Sequence, residues 1–542
     1  MKRKKQRRLL LILLVLLLAL CVGYFFLLRY NKEQENSDTE ETDASISIYP
    51  EDFDSSAISS ISYQYDGTAL EFSLQSDGET WQYDDNKDFP LNQSSLSGMN
   101  SQLQSLTASR KIKDNLDDLA DYGLDQPSNA VTAKDSDGTE CTIYFGNTND
   151  SAGVTYVYTD ADQNIYTIDS GVADYFSHPL LDMIVEDELP LPDSTAVYKN
   201  MTIERGKSTL TFQYKENGDT DLDYLKRCAW FGDIDGDRFA MDDTAVSELT
   251  DALDSLSTSG CAAYDISVDE MSVYGLDDPT AVITVNYTQT ETVEAETTED
   301  ETSENESSEI SGTKDSNDDA ESETETEEAT EEETETQTVK VPYKLTLKIG
   351  KAVGDYYYVT WNDLSQVYLM SASSLESFLN CDKSTLAYME PFHFTVNDLE
   401  EMTITCDGRT YQYQIKQTTE EVESTDEDGN TTTEEQEVTK YTLNGDEIDS
   451  GDFTNVLGTI QDTAAEKLYP EDAEDNSSSA PSGSDSVTIQ VKFSRSERSE
   501  VTLVLTPYDS SYYALYVDGT PAYLMNKMDI AGFIKALPTE EE

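Results

Sequence analysis

Tyr122-Gly123-Leu124-Asp125-Gln126-Pro127 is written again at Tyr274-Gly275-Leu276-Asp277-Asp278-Pro279. Each copy follows a helix-like segment and precedes strand-like residues. Gly admits a turn that other residues resist, and Pro opens the next extended segment. Tyr122, Leu124, Tyr274 and Leu276 are expected to pack under their turns. Asp125 and Asp277 read as turn or cap residues rather than ligands. With Gly123, Pro127, Gly275 and Pro279 they form the structural anchor of a repeat.

Outward from the anchor the same apolar offsets return. Ile61 with Leu70, Phe72 and Leu74 matches Met201 with Leu210, Phe212 and Tyr214, and Met402 with Tyr411, Tyr413 and Ile415. Their alternation predicts hairpins with one buried face. Leu96, Met99, Leu103 and Leu106 share their spacing with Val246, Leu249, Leu253 and Leu256, and with Phe453, Val456, Ile460 and Thr463. That spacing makes a helical stripe.

Strands close each copy. Thr142-Ile143-Tyr144-Phe145-Gly146 matches Leu345-Thr346-Leu347-Lys348-Ile349-Gly350. Tyr156-Val157-Tyr158 matches Tyr356-Tyr357-Tyr358-Val359 and Ala514-Leu515-Tyr516-Val517. Ile165-Tyr166, Val367-Tyr368 and Ala522-Tyr523 open the next strand. A short helix ends the unit, with triplets Val172, Tyr175, Phe176; Leu375, Phe378, Leu379; and Ile530, Phe533, Ile534. The third copy lacks the anchor and has Tyr469-Pro470 instead. The pattern predicts an α+β chain, a tandem repeat of three β-rich modules, each a hairpin, a helix, antiparallel strands and a short helix.

The modules are residues 49–190, 191–390 and 391–542. Residues 288–338 are nearly all Glu, Thr, Ser and Asp, with Lys314 the sole basic residue, and are expected to be a disordered acidic insertion in a hairpin. Residues 418–439 and 471–486 are smaller insertions. Ahead of the modules, residues 1–8 form a basic tail and residues 9–28 an unbroken apolar run. As a helix that run spans about 30 Å and predicts one uncleaved transmembrane signal anchor with a cytoplasmic N-terminus. Residues 29–48 read as a polar tether.

The anchor, the strand ending in Phe145-Gly146 or Ile349-Gly350, the Tyr-Val strand and the Val-Tyr strand together resemble the bacterial family of the domain of unknown function numbered 4340. The resemblance covers most of residues 56–378. Members are typically membrane-anchored and often encoded beside ABC transporter components of the gliding-motility type. The resemblance therefore implies an exported accessory protein of the bacterial cell membrane, with ABC permease or ATPase subunits as partners. It brings no catalytic residues.

Composition narrows the chemistry. With 110 acidic against 35 basic residues the formal charge is −75, which excludes nucleic acid as a partner. Divalent cations, cationic proteins or a cation-rich wall matrix suit such a surface. His178 and His393 are the only histidines, each near a Pro after a terminal helix, and read as packing at module junctions. Two histidines supply little material for a triad or a multi-His metal site. Asp233-Ile234-Asp235-Gly236-Asp237 resembles part of a calcium loop, but Gly236 comes early and Thr244 takes the place of the Glu, so it reads as a hairpin turn. Cys228 and Cys261 fall in one module, and spacing alone leaves their pairing open. The expectation is a non-enzymatic accessory or interaction protein with no catalytic residues, cofactor or metal. A wall-binding or divalent-cation-binding module is the alternative, and a wall-acting hydrolase stands behind both.

Overall fold

The computed structural model describes residues 46–113, 119–127, 129–162, 164–294, 336–425, 431–470 and 485–539. The basic tail, the apolar run 9–28 and nearly all of the tether lie outside these. Among the described residues no helix is long and apolar enough to cross a membrane.

The chain divides into two compact units between Glu186 and Asp187. In the first, β1 (Ile58–Tyr65), β2 (Thr68–Leu74), β3 (Trp81–Tyr83), β4 (Arg110–Lys113), β5 (Asn129–Asp135), β6 (Glu140–Asn149), β7 (Val154–Thr159) and β8 (Ile165–Asp169) form one antiparallel sheet. Its order is β3-β2-β1-β5-β6-β7-β8-β4.

The second unit holds two sheets. One contains β9 (Val197–Arg205), β10 (Ser208–Tyr214), β11 (Trp230–Ile234), β12 (Asp237–Ala240), β13 (Thr258–Ala263), β14 (Ala281–Glu294), β15 (Thr336–Val353), β16 (Tyr356–Trp361) and β17 (Val367–Ser371). The other contains β18 (Leu399–Cys406), β19 (Arg409–Thr425), β20 (Thr431–Leu443), β21 (Asp446–Ile448), β22 (Ala465–Leu468), β23 (Val487–Phe493), β24 (Glu500–Pro507), β25 (Tyr512–Val517) and β26 (Thr520–Asn526). Their orders, β12-β11-β10-β9-β14-β15-β16-β17-β13 and β21-β20-β19-β18-β23-β24-β25-β26-β22, are one topology. The first sheet is the same without the strand equivalent to β12.

The registers coincide as well as the order. Ile61 faces Phe72 where Met201 faces Phe212 and Met402 faces Tyr413. Val131–Ile143, Ile283–Leu347 and Ile489–Leu503 are equivalent rungs, as are Val157–Tyr166, Val359–Tyr368 and Leu515–Tyr523. A one-residue slip would turn each strand's apolar set to the wrong face, so this agreement fixes three copies of one β-rich α+β module.

One face of each sheet is covered by helices. The long ones are α1 (Gln93–Gln104), α2 (Asp243–Asp254) and α5 (Ser450–Gln461), with α3 (Ala372–Asn380), the single-turn α4 (Lys383–Leu386) and α6 (Lys527–Ala536) beside them. Asn92, Asp242 and Asp449 cap the long helices, each side chain accepting a backbone N–H two residues on. The predicted stripes are buried in all three, including Leu106, Leu256 and Thr463 just past the helix ends. Each fully buried Leu or Val contributes about 1.5–3 kcal/mol of transfer free energy.

Three details depart from the sequence reading. β14 and β15 stay paired out to Glu294 and Thr336, and β19 and β20 out to Thr425 and Thr431. The insertions are therefore strand ribbons along their flanks, because the Thr and Val residues among the Glu favour strand pairing. Only residues 295–335, 426–430 and 471–484 of the predicted insertions lie outside the described ones. The strand after each long helix, β4, β13 or β22, was too short to show a period, yet it closes the sheet on β8, β17 or β26. Finally, residues 170–176 form a 3-10 helix, whose tighter winding leaves Tyr175 exposed while Val172 and Phe176 are buried.

Candidate functional site

The two anchors are helix C-caps. In each, a 3-10 turn ends at the Tyr, and Gly123 and Gly275 sit at φ +69°. Gly275 N–H donates to the Ser272 carbonyl (3.2 Å) and Leu276 N–H to that of Met271 (3.1 Å). Gly123 to Ala120 (3.2 Å) and Leu124 to Leu119 (2.8 Å) repeat the pair. This is a Schellman closure, and the buried Leu124 and Leu276 are its apolar contact. Tyr122 packs edge-on to Tyr156 and Tyr274 to Tyr358, both at 5.0 Å. Asp125 and Asp277 are exposed beyond the turn.

The cap seats on a second glycine. A Cβ at Gly146 would lie 2.4 Å from the Tyr122 carbonyl oxygen, and one at Gly350 would lie 2.3 Å from that of Tyr274. That close approach explains the glycine after Phe145 and Ile349, although β6 and β15 continue past it instead of ending there as the sequence pattern predicts. The anchor is thus a lock between a turn and a sheet strand. Its residues are brought together for packing.

A different contact stands out as an interaction site. The connection from β10 to β11, residues 215–229, reaches from the second module into the core of the third. There the buried Tyr224 and Leu225 join Phe392, Phe394 and Phe493. The Asp223 carboxylate, itself buried, holds the loop's shape by accepting the N–H groups of Leu225 (2.9 Å), Arg227 and Cys228 (2.8 Å). Tyr224 Oη donates to the Pro391 carbonyl, and burial pushes its hydroxyl well above the usual range.

The third module answers with two arginines from the turn between β23 and β24. The Arg495 guanidinium donates to the Tyr224 carbonyl and lies 4.3 Å from the centre of the Phe493 ring. Arg498 donates to the Thr220 carbonyl (2.7 Å), pairs with Asp518 and covers the Tyr224 ring at 5.6 Å. From the other side, Arg227 donates to the His393 carbonyl (3.2 Å) and to Thr395 Oγ1 (2.8 Å). The loop and turn border a polar cleft of about 720 Å³ lined by Lys215, Asp219, Lys226, Cys228, Asp243 and Glu497 among others. Its amines are already paired, Lys215 with Asp219 and Lys226 with Glu497 at 3.6 Å. Burial raises the Asp243 carboxyl, against the hydrogen bonds it accepts from Ala229 (3.0 Å) and Trp230 (3.2 Å). Burial and nearby Asp223 push the Cys228 thiol up.

Other residues singled out in the sequence take structural places. His393 does stand at the module junction, but its carbonyl makes the contact, while the half-exposed ring meets Glu390 at 2.7 Å. The His178 ring is half exposed beside Asp182, and its carbonyl accepts from Tyr63 Oη (2.9 Å). Asp235 and Gly236, at φ +53° and +98°, make the hairpin turn between β11 and β12, and Asp233 accepts the Gly236 N–H (2.7 Å). Among the described residues no group of three His, Cys, Asp or Glu is placed to hold a metal. Cys228 is buried in the loop while Cys261 lies on β13 with its thiol on the Ala263 carbonyl (3.3 Å), so the two are not disulfide-bonded. Tyr224, Arg495 and Arg498 went unnoticed in the sequence. The available signal was an apolar Tyr-Leu pair in a polar connection and two arginines in a chain poor in them.

The family described as a domain of unknown function (DUF4340) matches residues 81–279 and again residues 235–486. The two matches end at equivalent points, just before β14 and just before β23. No curated protein matches the chain. No solved structure matches it either.

Proposed function

The chain belongs to the DUF4340 family, and from that premise we propose that it is a non-enzymatic, membrane-anchored accessory or interaction protein acting outside the cytoplasm, as an auxiliary subunit of an ABC transport system. The observation that carries this reading is one sheet used three times, with the largest variation in its connections. A fixed frame with variable loops is how folds present binding surfaces. In the second module such a loop meets its neighbour through a buried Tyr and guanidinium groups, the chemistry of protein–protein interfaces. In this reading the basic cluster and the apolar run 9–28 supply the anchor, and the charge of −75 favours cationic surfaces on the partner.

Affinity capture of the detergent-solubilised chain from its own membranes tests the proposal. Recovery of an ABC permease or ATPase is the expected result. Recovery of wall fragments alone would overturn it in favour of a wall-binding module. A rise in melting temperature on calcium titration, without a transporter partner, would favour a divalent-cation module instead.

A further inference from the structure

The connection from second to third strand takes a different form in each module. Between the equivalent rungs Leu74–Trp81, Tyr214–Trp230 and Ile415–Tyr441 it comprises residues 75–80, 215–229 and 416–440. In the first module it is a tight turn. In the second it is the loop held by Arg495 and Arg498. In the third it is a two-stranded ribbon, Lys416 to Thr425 paired with Thr431 to Lys440.

That ribbon lacks what the other two connections have. β18 pairs with β19 only as far as Gln414, and β21 with β20 only from Tyr441 on. Among the described residues both outer edges of the ribbon therefore carry backbone N–H and C=O groups without a ladder partner. Alternation continues the buried face of Tyr413 and Ile415 into Gln417, Thr419 and Glu421, opposed by Thr439, Glu437 and Glu435. Glu421 stands directly opposite Glu435, a like-charge pair that weakens the ribbon. No cation shares that face. Lys416 and Lys440 lie on the other, where Lys440 pairs with Glu420. A two-stranded ribbon is marginal alone.

We propose that the paired strands 416–425 and 431–440 form a docking edge for a second protein, which lays an extended segment bearing Arg or Lys at alternate positions along it. The segment's backbone completes the ladder and its cations meet Glu421, Glu435 and Glu437. The second module supplies the precedent: its equivalent connection is engaged by arginines of the structure it meets. Within this chain the described basic edge strand is β4, which has only Arg110, Lys111 and Lys113 to offer. The proposal rests on the interaction-protein reading, yet it stands or falls separately from the identity of a transporter.

The test uses the full chain in detergent and two synthetic peptides read by fluorescence anisotropy. One alternates Arg and Thr. The other alternates N-methylarginine and Pro, with equal charge but without the backbone N–H donors a strand requires. The Arg-Thr peptide is expected to bind roughly tenfold tighter or better. Glu421→Gln, Glu435→Gln and Glu437→Gln together should remove that advantage while leaving the net charge strongly negative and the melting temperature no lower than the parent's. Equal binding of both peptides, undiminished binding by the triple variant, or self-association that competes with the peptide would each overturn the proposal.

Discussion

The second and third modules share order and register, but they are completed in different ways. The second is closed from within, by Tyr274 and Leu276 seated on Gly350 and Tyr358. At the corresponding rungs the third has Thr506 for the glycine and Ala514 for the tyrosine, and its sequence does not repeat Tyr-Gly-Leu-Asp. On that face the third module packs the Tyr469 ring against Tyr508 and Tyr516, beside Ala514. In its main core, on the other face, the third module takes in Tyr224 and Leu225 from its neighbour. One frame is thus locked on one face by its own turn in the second module, and in the third its main core is joined by another module's loop. The second route makes two modules one body.

The sharpest way to break this comparison is Tyr224→Ala. It removes a buried ring and should cost the third module about 3–5 kcal/mol. In urea the unit 187–542 should then melt in two steps where the parent melts in one. A single unchanged transition would mean that the loop does not couple the modules.

Gly350→Val comes next. Its Cβ would meet a carbonyl oxygen that belongs to the capped turn, so we expect a loss of about 2–3 kcal/mol. Thr506→Val at the matching rung should cost less than about 1 kcal/mol. Similar losses at both positions would remove the distinction between the sheets. Tyr274→Ala tests the ring alone. An edge-to-face pair is worth about 0.5–1.5 kcal/mol, and denaturation midpoints would resolve it.

The smallest effect is one of pH. Burial raises the Asp254 carboxyl against the hydrogen bond that Tyr198 donates to it. Its folded value therefore lies above the ordinary 3.8. The stability it contributes is complete below 3.8 and is lost as pH climbs through the raised value. Asp254→Asn removes this dependence. Stability of the parent relative to the variant should fall with rising pH across that window. A difference that stays flat would contradict the burial argument.

Much of the frame was legible because it repeats. Ile61, Met201 and Met402, and the stripes beginning at Leu96, Val246 and Phe453, show a period that burial enforces three times over. Tyr-Gly-Leu-Asp was legible because a left-handed glycine and its Leu partner are local chemistry. The interaction site was not. Tyr224 and Arg495 are far apart in sequence, and each is a single residue without periodicity. β4, β13 and β22 were missed because so few residues cannot establish an alternation. The ribbon flanks were obscured by Glu, whose charge signals disorder even where Thr and Val sustain pairing.

Hydrogen exchange across the whole chain tests the central claim most directly: one sheet used three times, with its second-to-third connection turned to binding. Equivalent rungs in the three sheets should be protected alike. The amides of Leu225, Arg227 and Cys228, held on Asp223, should exchange about 100-fold or more slowly than those of residues 75–80. Rapid exchange at 224–228, or protection that differs between matching strands, would contradict the account.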